Sequence, residues 1–113
     1  MSMKLIRAII RPESTQRVIE ALEKNDIYAM TRMNVTGRGR EMGLSRGSIR
    51  YTEIPKEMLM IALPDDAVTK IVRVIETAVR TGTKDYSATG NPGDGKIFVT
   101  GIEESYTIRT GEK

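Results

Sequence analysis

Residues 58–79 read MLMIALPDDAVTKIVRVIETAV, and the two halves of the stretch obey different periodicities. Met58 to Leu63 are apolar without interruption, the pattern of a strand covered on both faces. Pro64-Asp65-Asp66 then stops the extended chain and opens a helix. Proline fixes φ near the helical value, and two carboxylates suit the positive end of a helix dipole. Val68, Ile71, Val72, Ile75, Ala78 and Val79 fall at i, i+3, i+4, i+7, i+10 and i+11, one continuous apolar stripe. The Asp65-Asp66 pair is therefore read as a helix start, not as a catalytic pair.

Working outward, residues 3–11 form a strand with Ile6, Ala8 and Ile10 on one face and Leu5, Arg7, Ile9 and Arg11 on the other. Pro12 ends it. Ser14 is expected to cap a helix reaching about Lys24, with Val18, Ile19, Ala21 and Leu22 in one arc. Residues 27–36 read as the second strand. Residues 37–56 show no sustained periodicity and are expected to be a long, locally basic loop carrying Arg38, Arg40, Arg46, Arg50 and Lys56. Residues 97–100 are the fourth strand, and 106–109 a short extended piece.

The order β-α-β-β-α-β predicts one α+β domain over 1–113, a ferredoxin-like sandwich. Two helices cover one face of such a sheet. The third strand is apolar on both, so a partner subunit is expected on the second face and the chain reads as a homo-oligomer.

Composition removes several chemistries. With no cysteine and no histidine, disulfides, zinc fingers, thiol nucleophiles and the commonest general base are all missing. No apolar run approaches the ~18 residues of a membrane span, and the start shows no cleavage signal, so a soluble cytoplasmic protein is expected. A net charge of +3 suits an anionic ligand without choosing one. The first and third strands carry no aromatic residue, which argues against the stacking platform of an RNA-binding module.

Two glycine-bearing segments remain. Gly37-Arg38-Gly39 matches half a dinucleotide fingerprint, but Gly43 falls one place late and no helix pattern follows. Residues 89–99, TGNPGDGKIFV, combine three glycines with Asp94 and Lys96. Glycine main chain beside a lysine is a means of holding phosphates, and it is also an ordinary tight loop. The spacing is not that of a P-loop, since Ile97 stands where a hydroxyl is required.

RAIIRPE at 7–13, VTGRG at 35–39, PDD at 64–66, TGNPGDGKIFV at 89–99 and the closing YTIRTGEK resemble the PII nitrogen-regulatory proteins. The segment YTEIPKEMLM and the tail IEESYTIRTGE look most like the archaeal nitrogenase-associated branch. The resemblance implies a non-catalytic signal transducer, a homotrimer binding ATP or ADP in clefts between subunits. By position it implies Gly93, Asp94, Gly95 and Lys96 at the phosphates (loop 89–96), with Arg109 adding charge across the interface. It implies Ile9, Thr31 and Ala62 around the adenine, and Gly39 and Arg40 closing the base of the 37–56 loop. In the family, Mg²⁺ bridges ATP and 2-oxoglutarate, and a lysine matching Lys56 pairs with that ligand's far carboxylate.

Three departures stand out. The glutamine that completes the Mg²⁺ shell is Glu41 here; a carboxylate can bind the metal but repels a triphosphate and a dicarboxylate. One of two tail arginines is Thr107. An insert at about 81–88 lengthens the chain before the phosphate loop. The position of Tyr51 does not match the tyrosine that bacterial members uridylylate. The implied target is nitrogenase, in concert with a PII paralogue, with an ammonium transporter as the alternative. An ATP-using enzyme stands behind both, for want of a base or nucleophile.

Overall fold

The computed structural model describes residues 2–41, 50–80 and 93–113, with the backbone alone at 39–41 and 50–52. Among these, the elements run β1 (Met3–Ile10), α1 (Thr15–Lys24), β2 (Thr31–Glu41), β3 (Arg50–Pro64), α2 (Val68–Val79) and β4 (Gly95–Ile102). The strands form one antiparallel sheet in the order β2-β3-β1-β4, the ferredoxin-like arrangement.

Register decides which residues reach the core. Ile6 lies opposite Ile61 and Val99, and Ala8 opposite Leu59 and Ile97. Ile6, Ala8, Ile10, Leu59, Ile61 and Leu63 therefore share a face, and they pack on Val18 and Leu22 of α1 and on Ile71, Ile75 and Val79 of α2. None of these is more than 7% exposed. The alternate residues Leu5, Arg7, Ile9, Met58, Met60 and Met33 fall on the opposite face, which no helix of the described chain covers. Phe98 joins them and is 48% exposed.

Both helices begin in a single 3-10 turn, Pro12–Ser14 and Asp65–Ala67. The second is where Pro64-Asp65-Asp66 was expected to open the helix. Ser14 departs from its expected role. Its backbone is already helical, it makes no side-chain cap, and its buried Oγ accepts from Arg17 Nη2 at 3.2 Å. A proline-led turn has taken over the start of the helix.

The second strand begins four residues later than its pattern suggests. After α1 the chain closes through Asn25 and Asp26, whose φ is +65, and Ile27 N–H donates back to Leu22 O at 2.9 Å. Ile27 and Met30 pack on the core from this connector, so their apolar character serves it and not the ladder.

Residues 37–41 and 50–54, expected to be irregular, are paired strand, from Gly37 opposite Ile54 to Glu41 opposite Arg50. A two-stranded ribbon leaving the sheet has no core on either side, so nothing selects an alternating pattern. Residues 42–49 and the insert at 81–88 lie outside the described residues. The tail is not extended at 106–109. Gly111 N–H and Thr107 N–H donate to Thr107 O (2.6 Å) and Glu112 O (2.7 Å), closing a turn with Gly111 at φ +73. No helix among the described residues is long and apolar enough to cross a membrane.

Candidate functional site

The site grows from the way β4 meets β1. Gly95 pairs with Ile10 at the start of the ladder, with φ +148, and a Cβ there would lie 2.6 Å from the Ile9 carbonyl oxygen. Gly93, φ +89, is crossed by Arg11, so that its Cβ would lie 2.9 Å from Nη2. Both backbone conformations sit in the left-handed region; at Gly95 the obstacle to a side chain is fixed main chain, while at Gly93 it is the movable end of Arg11. The glycines of this turn are thus required by its shape.

Between them, Asp94 is buried, with Oδ1 3.4 Å from Arg11 Nε. Lys96 pairs with Ile9 and is exposed on the helix-free face. From β3, Lys56 reaches the same place, where Nζ donates to the Gly93 carbonyl at 2.9 Å. Its aliphatic stem lies over Gly37, where a Cβ would be 3.2 Å from Lys56 Cγ. The foot of the hairpin and the glycine turn are therefore joined by one side chain. At the turn itself Arg11, Lys56 and Lys96 stand around the Asp94 carboxylate, a positive balance that suits an anion, while Glu76 and Arg80 line the cleft beside it. The turn also closes one end of a cleft of about 490 Å³ between α2 and β4, lined by Val72, Ile75, Val79, Ile97 and Val99.

Of the residues expected at a nucleotide, Ile9, Gly93, Asp94, Gly95 and Lys96 come together, and Lys56, expected at 2-oxoglutarate, joins them through Gly93. Thr31 and Ala62 share the face with Ile9 but sit on different strands. Ala62 is opposite Leu5, four residues of β1 from Ile9, or about 13 Å along a strand. Thr31 is opposite Met60, itself opposite Arg7, so the three are spread over three strands of the one chain. Arg109 lies in the tail turn, which leaves β4 at Ile102, opposite Met3 and at the far end of the strand from Gly95. Residues of the tail itself hold this turn in shape. Tyr106 Oη donates to Glu104 Oε1 at 2.7 Å, and that bond holds the phenol above its ordinary pKa. Lys113 Nζ is 3.8 Å from Glu104 Oε2.

Gly39, Arg40 and Glu41 are paired in the ribbon, but their side chains lie outside what is described, so the Mg²⁺ expectation at Glu41 does too. Among the described residues no cluster of carboxylates could hold a metal. Arg11 is the residue that sequence reading missed. It was seen only as the last residue of a strand face. Its partner lies at the other end of the chain, and no local pattern joins them.

Residues 3–112 match the family model for the nitrogen regulatory protein P-II. The chain is 46% identical over 111 residues to the nitrogen fixation nifHD2 region GlnB-like protein 1 of Methanosarcina barkeri, covering 98% of each. It is 44% identical to the nifHD region GlnB-like protein 1 of Methanothermococcus thermolithotrophicus, covering 97% of each. The fold is similar to that of B. subtilis GlnK solved as an ATP complex, with a TM-score of 0.78 and 26% identity over 98% of this chain and 91% of that one. A match across nearly the whole length, with archaeal nitrogen-fixation relatives at this identity, settles the family: the chain belongs to the P-II proteins, regulatory and non-catalytic signal transducers, in their nif-associated branch.

Proposed function

We propose that the chain, one regulatory unit over 1–113, forms a homotrimer that binds ATP or ADP in the clefts between subunits. It then acts on its target through the 37–56 segment. The observation that carries this is the 93–96 turn: two left-handed glycines held against β1, with Lys96 beside them and Lys56 bonded to Gly93. Such a turn can offer main-chain N–H groups to phosphate oxygens while the lysines supply charge. The similar GlnK solved with ATP supports the choice of nucleotide.

Ile9 from one subunit and Thr31 and Ala62 from its neighbour would enclose the base, which accounts for their separation within one chain. Arg109 would reach the phosphates across the same interface, and Gly39 and Arg40 would close the hairpin's foot over the ligand. Mg²⁺ with 2-oxoglutarate is the second effector pair. Glu41 would hold the metal in place of the family's glutamine, at the cost of a further negative charge beside two anionic ligands. Effectors shift the hairpin only by binding its states unequally. Relatives named for the nifHD region support nitrogenase, in concert with a P-II paralogue, as the target.

Calorimetric titration with ATP and ADP, with and without Mg²⁺ and 2-oxoglutarate, tests this. ATP should bind with Kd below about 1 mM, and Lys96→Ala should weaken it more than about ten-fold, the scale of a lost charged contact. A parent chain that binds no nucleotide overturns the proposal. If Lys96→Ala changes nothing, the phosphate role of the turn is wrong. Glu41→Gln should strengthen 2-oxoglutarate binding in the presence of Mg-ATP, and an unchanged affinity counts against the charge argument. Target choice is read by mixing the purified protein with nitrogenase or with an ammonium transporter in detergent.

A further inference from the structure

We propose that Arg11 is a positioning residue for the nucleotide phosphates, holding the Asp94 carboxylate inward so that the 93–96 turn presents main chain to the ligand. This rests on the reading of that turn as a phosphate loop. The difficulty it answers is electrostatic. An aspartate at the centre of a phosphate-binding turn repels what the turn must hold, and the repulsion grows as water is excluded.

The geometry answers it by turning Asp94 inward against a cation. Asp94 is only 8% exposed, in a turn whose neighbours Gly93, Gly95 and Lys96 are open to solvent. Its Oδ1 lies 3.4 Å from Arg11 Nε, so a cation sits behind the turn and neutralises it. The same guanidinium crosses Gly93, within 2.9 Å of where a Cβ would be. A planar, delocalised cation can cover a glycine and meet a carboxylate at once; the point charge of lysine cannot.

Arg11 is itself held firmly. It has φ −68 and ψ 140, the extended conformation that a following proline favours. Its carbonyl accepts from Ser14 N–H at 2.9 Å as the chain turns into α1. The backbone of Arg11 is thus anchored at the end of β1, and its side chain reaches from there to the turn. With Asp94 neutralised, Lys56 and Lys96 set the charge that a polyphosphate meets.

The test uses the full-length protein and titrates ATP, ADP and AMP into the parent, Arg11→Met, Arg11→Lys, Asp94→Asn and the Arg11→Met/Asp94→Asn pair. Arg11→Met should weaken ATP about ten-fold, the scale of one charged contact, with a smaller loss for ADP and the least for AMP. Arg11→Lys should recover part of the loss. Asp94→Asn placed in the Arg11→Met chain should recover most of it, because the negative charge that the guanidinium had neutralised is gone.

If Arg11→Met costs the same in the parent as in the Asp94→Asn chain, Arg11 is a direct ligand or a structural residue and the proposal fails. Equal losses for ATP, ADP and AMP likewise overturn it. Hydrogen exchange in the ligand-free protein supplies a readout independent of nucleotide: amides 93–96 should exchange faster in Arg11→Met, while those of α1 stay protected. Unchanged exchange in a parent that does bind ATP defeats the positioning role alone, whereas a parent that binds no ATP defeats the phosphate reading and this inference with it. Should Arg11→Met not fold, the comparison of Arg11→Lys with Arg11→Lys/Asp94→Asn decides in the same way.

Discussion

Met60 and Ile61 are adjacent on β3, yet they belong to opposite faces of the sheet with opposite needs. Ile61 is 1% exposed, enclosed by helices of its own chain. Met60 lies on the face with Arg7, Thr31 and Phe98, where the described chain offers no cover. One strand thus serves two purposes, with period two keeping them apart. The helix face folds the subunit. The other face, with Ile9, Lys56 and Lys96 along it, is where the proposed neighbour and ligand would be accommodated.

The largest expected effect separates these faces directly. Ile61→Ala should cost about 2–5 kcal/mol of stability, much of the ~5–15 kcal/mol that holds a domain together, and shift denaturant unfolding strongly. Met60→Glu should leave the helical circular dichroism intact and instead lower the mass seen by sedimentation. If Met60→Glu unfolds the chain while remaining fully assembled up to that point, the division of labour between faces is wrong.

Gly95→Ala is expected to be smaller in stability and more local. The left-handed φ and the contact with the Ile9 carbonyl together should cost about 1–3 kcal/mol, the range for imposed backbone strain. Because the strain falls where β4 meets β1, nucleotide affinity should fall as well. Gly111→Ala makes the control: its φ is +73, but nothing lies within 4 Å of the added Cβ. If both variants behave alike, close packing against β1 does not explain Gly95.

The two faces were also unequally legible in the sequence. The helix face could be read throughout, because Ile6, Ala8 and Ile10 alternate and Val68 to Val79 repeat at helical spacing. The doubly apolar 58–63 stretch revealed that the other face needs cover. Where no core selects the residues, the pattern vanished: 37–41 and 50–54 pair residue by residue, yet they read as a loop. Ile27 and Met30 erred in the other direction, being apolar for the sake of a helix closure. At the site, the glycine turn and its lysines were visible as a cluster. The Arg11–Asp94 pair was not, since it joins the end of β1 to the start of β4 and neither position announces the other.

Lys56 is where the faces of the problem meet, and its removal should have the smallest effect on stability. Its Nζ donates one hydrogen bond to the Gly93 carbonyl, an exposed contact worth about 1 kcal/mol or less. Lys56→Met keeps the stem over Gly37 and deletes only the ammonium. Unfolding should therefore change by less than about 1 kcal/mol, while hydrogen exchange at 93–96 and at 37–41 rises together, because one side chain ties the hairpin's foot to the turn. By linkage, any anion that draws the ammonium away from Gly93 must feel the state of the turn, and a ligand in the turn must alter that anion's affinity by the same factor. If exchange in the hairpin and in the turn responds independently to Lys56→Met, the two segments are neighbours without being coupled, and the hairpin must take its signal from elsewhere in the cleft.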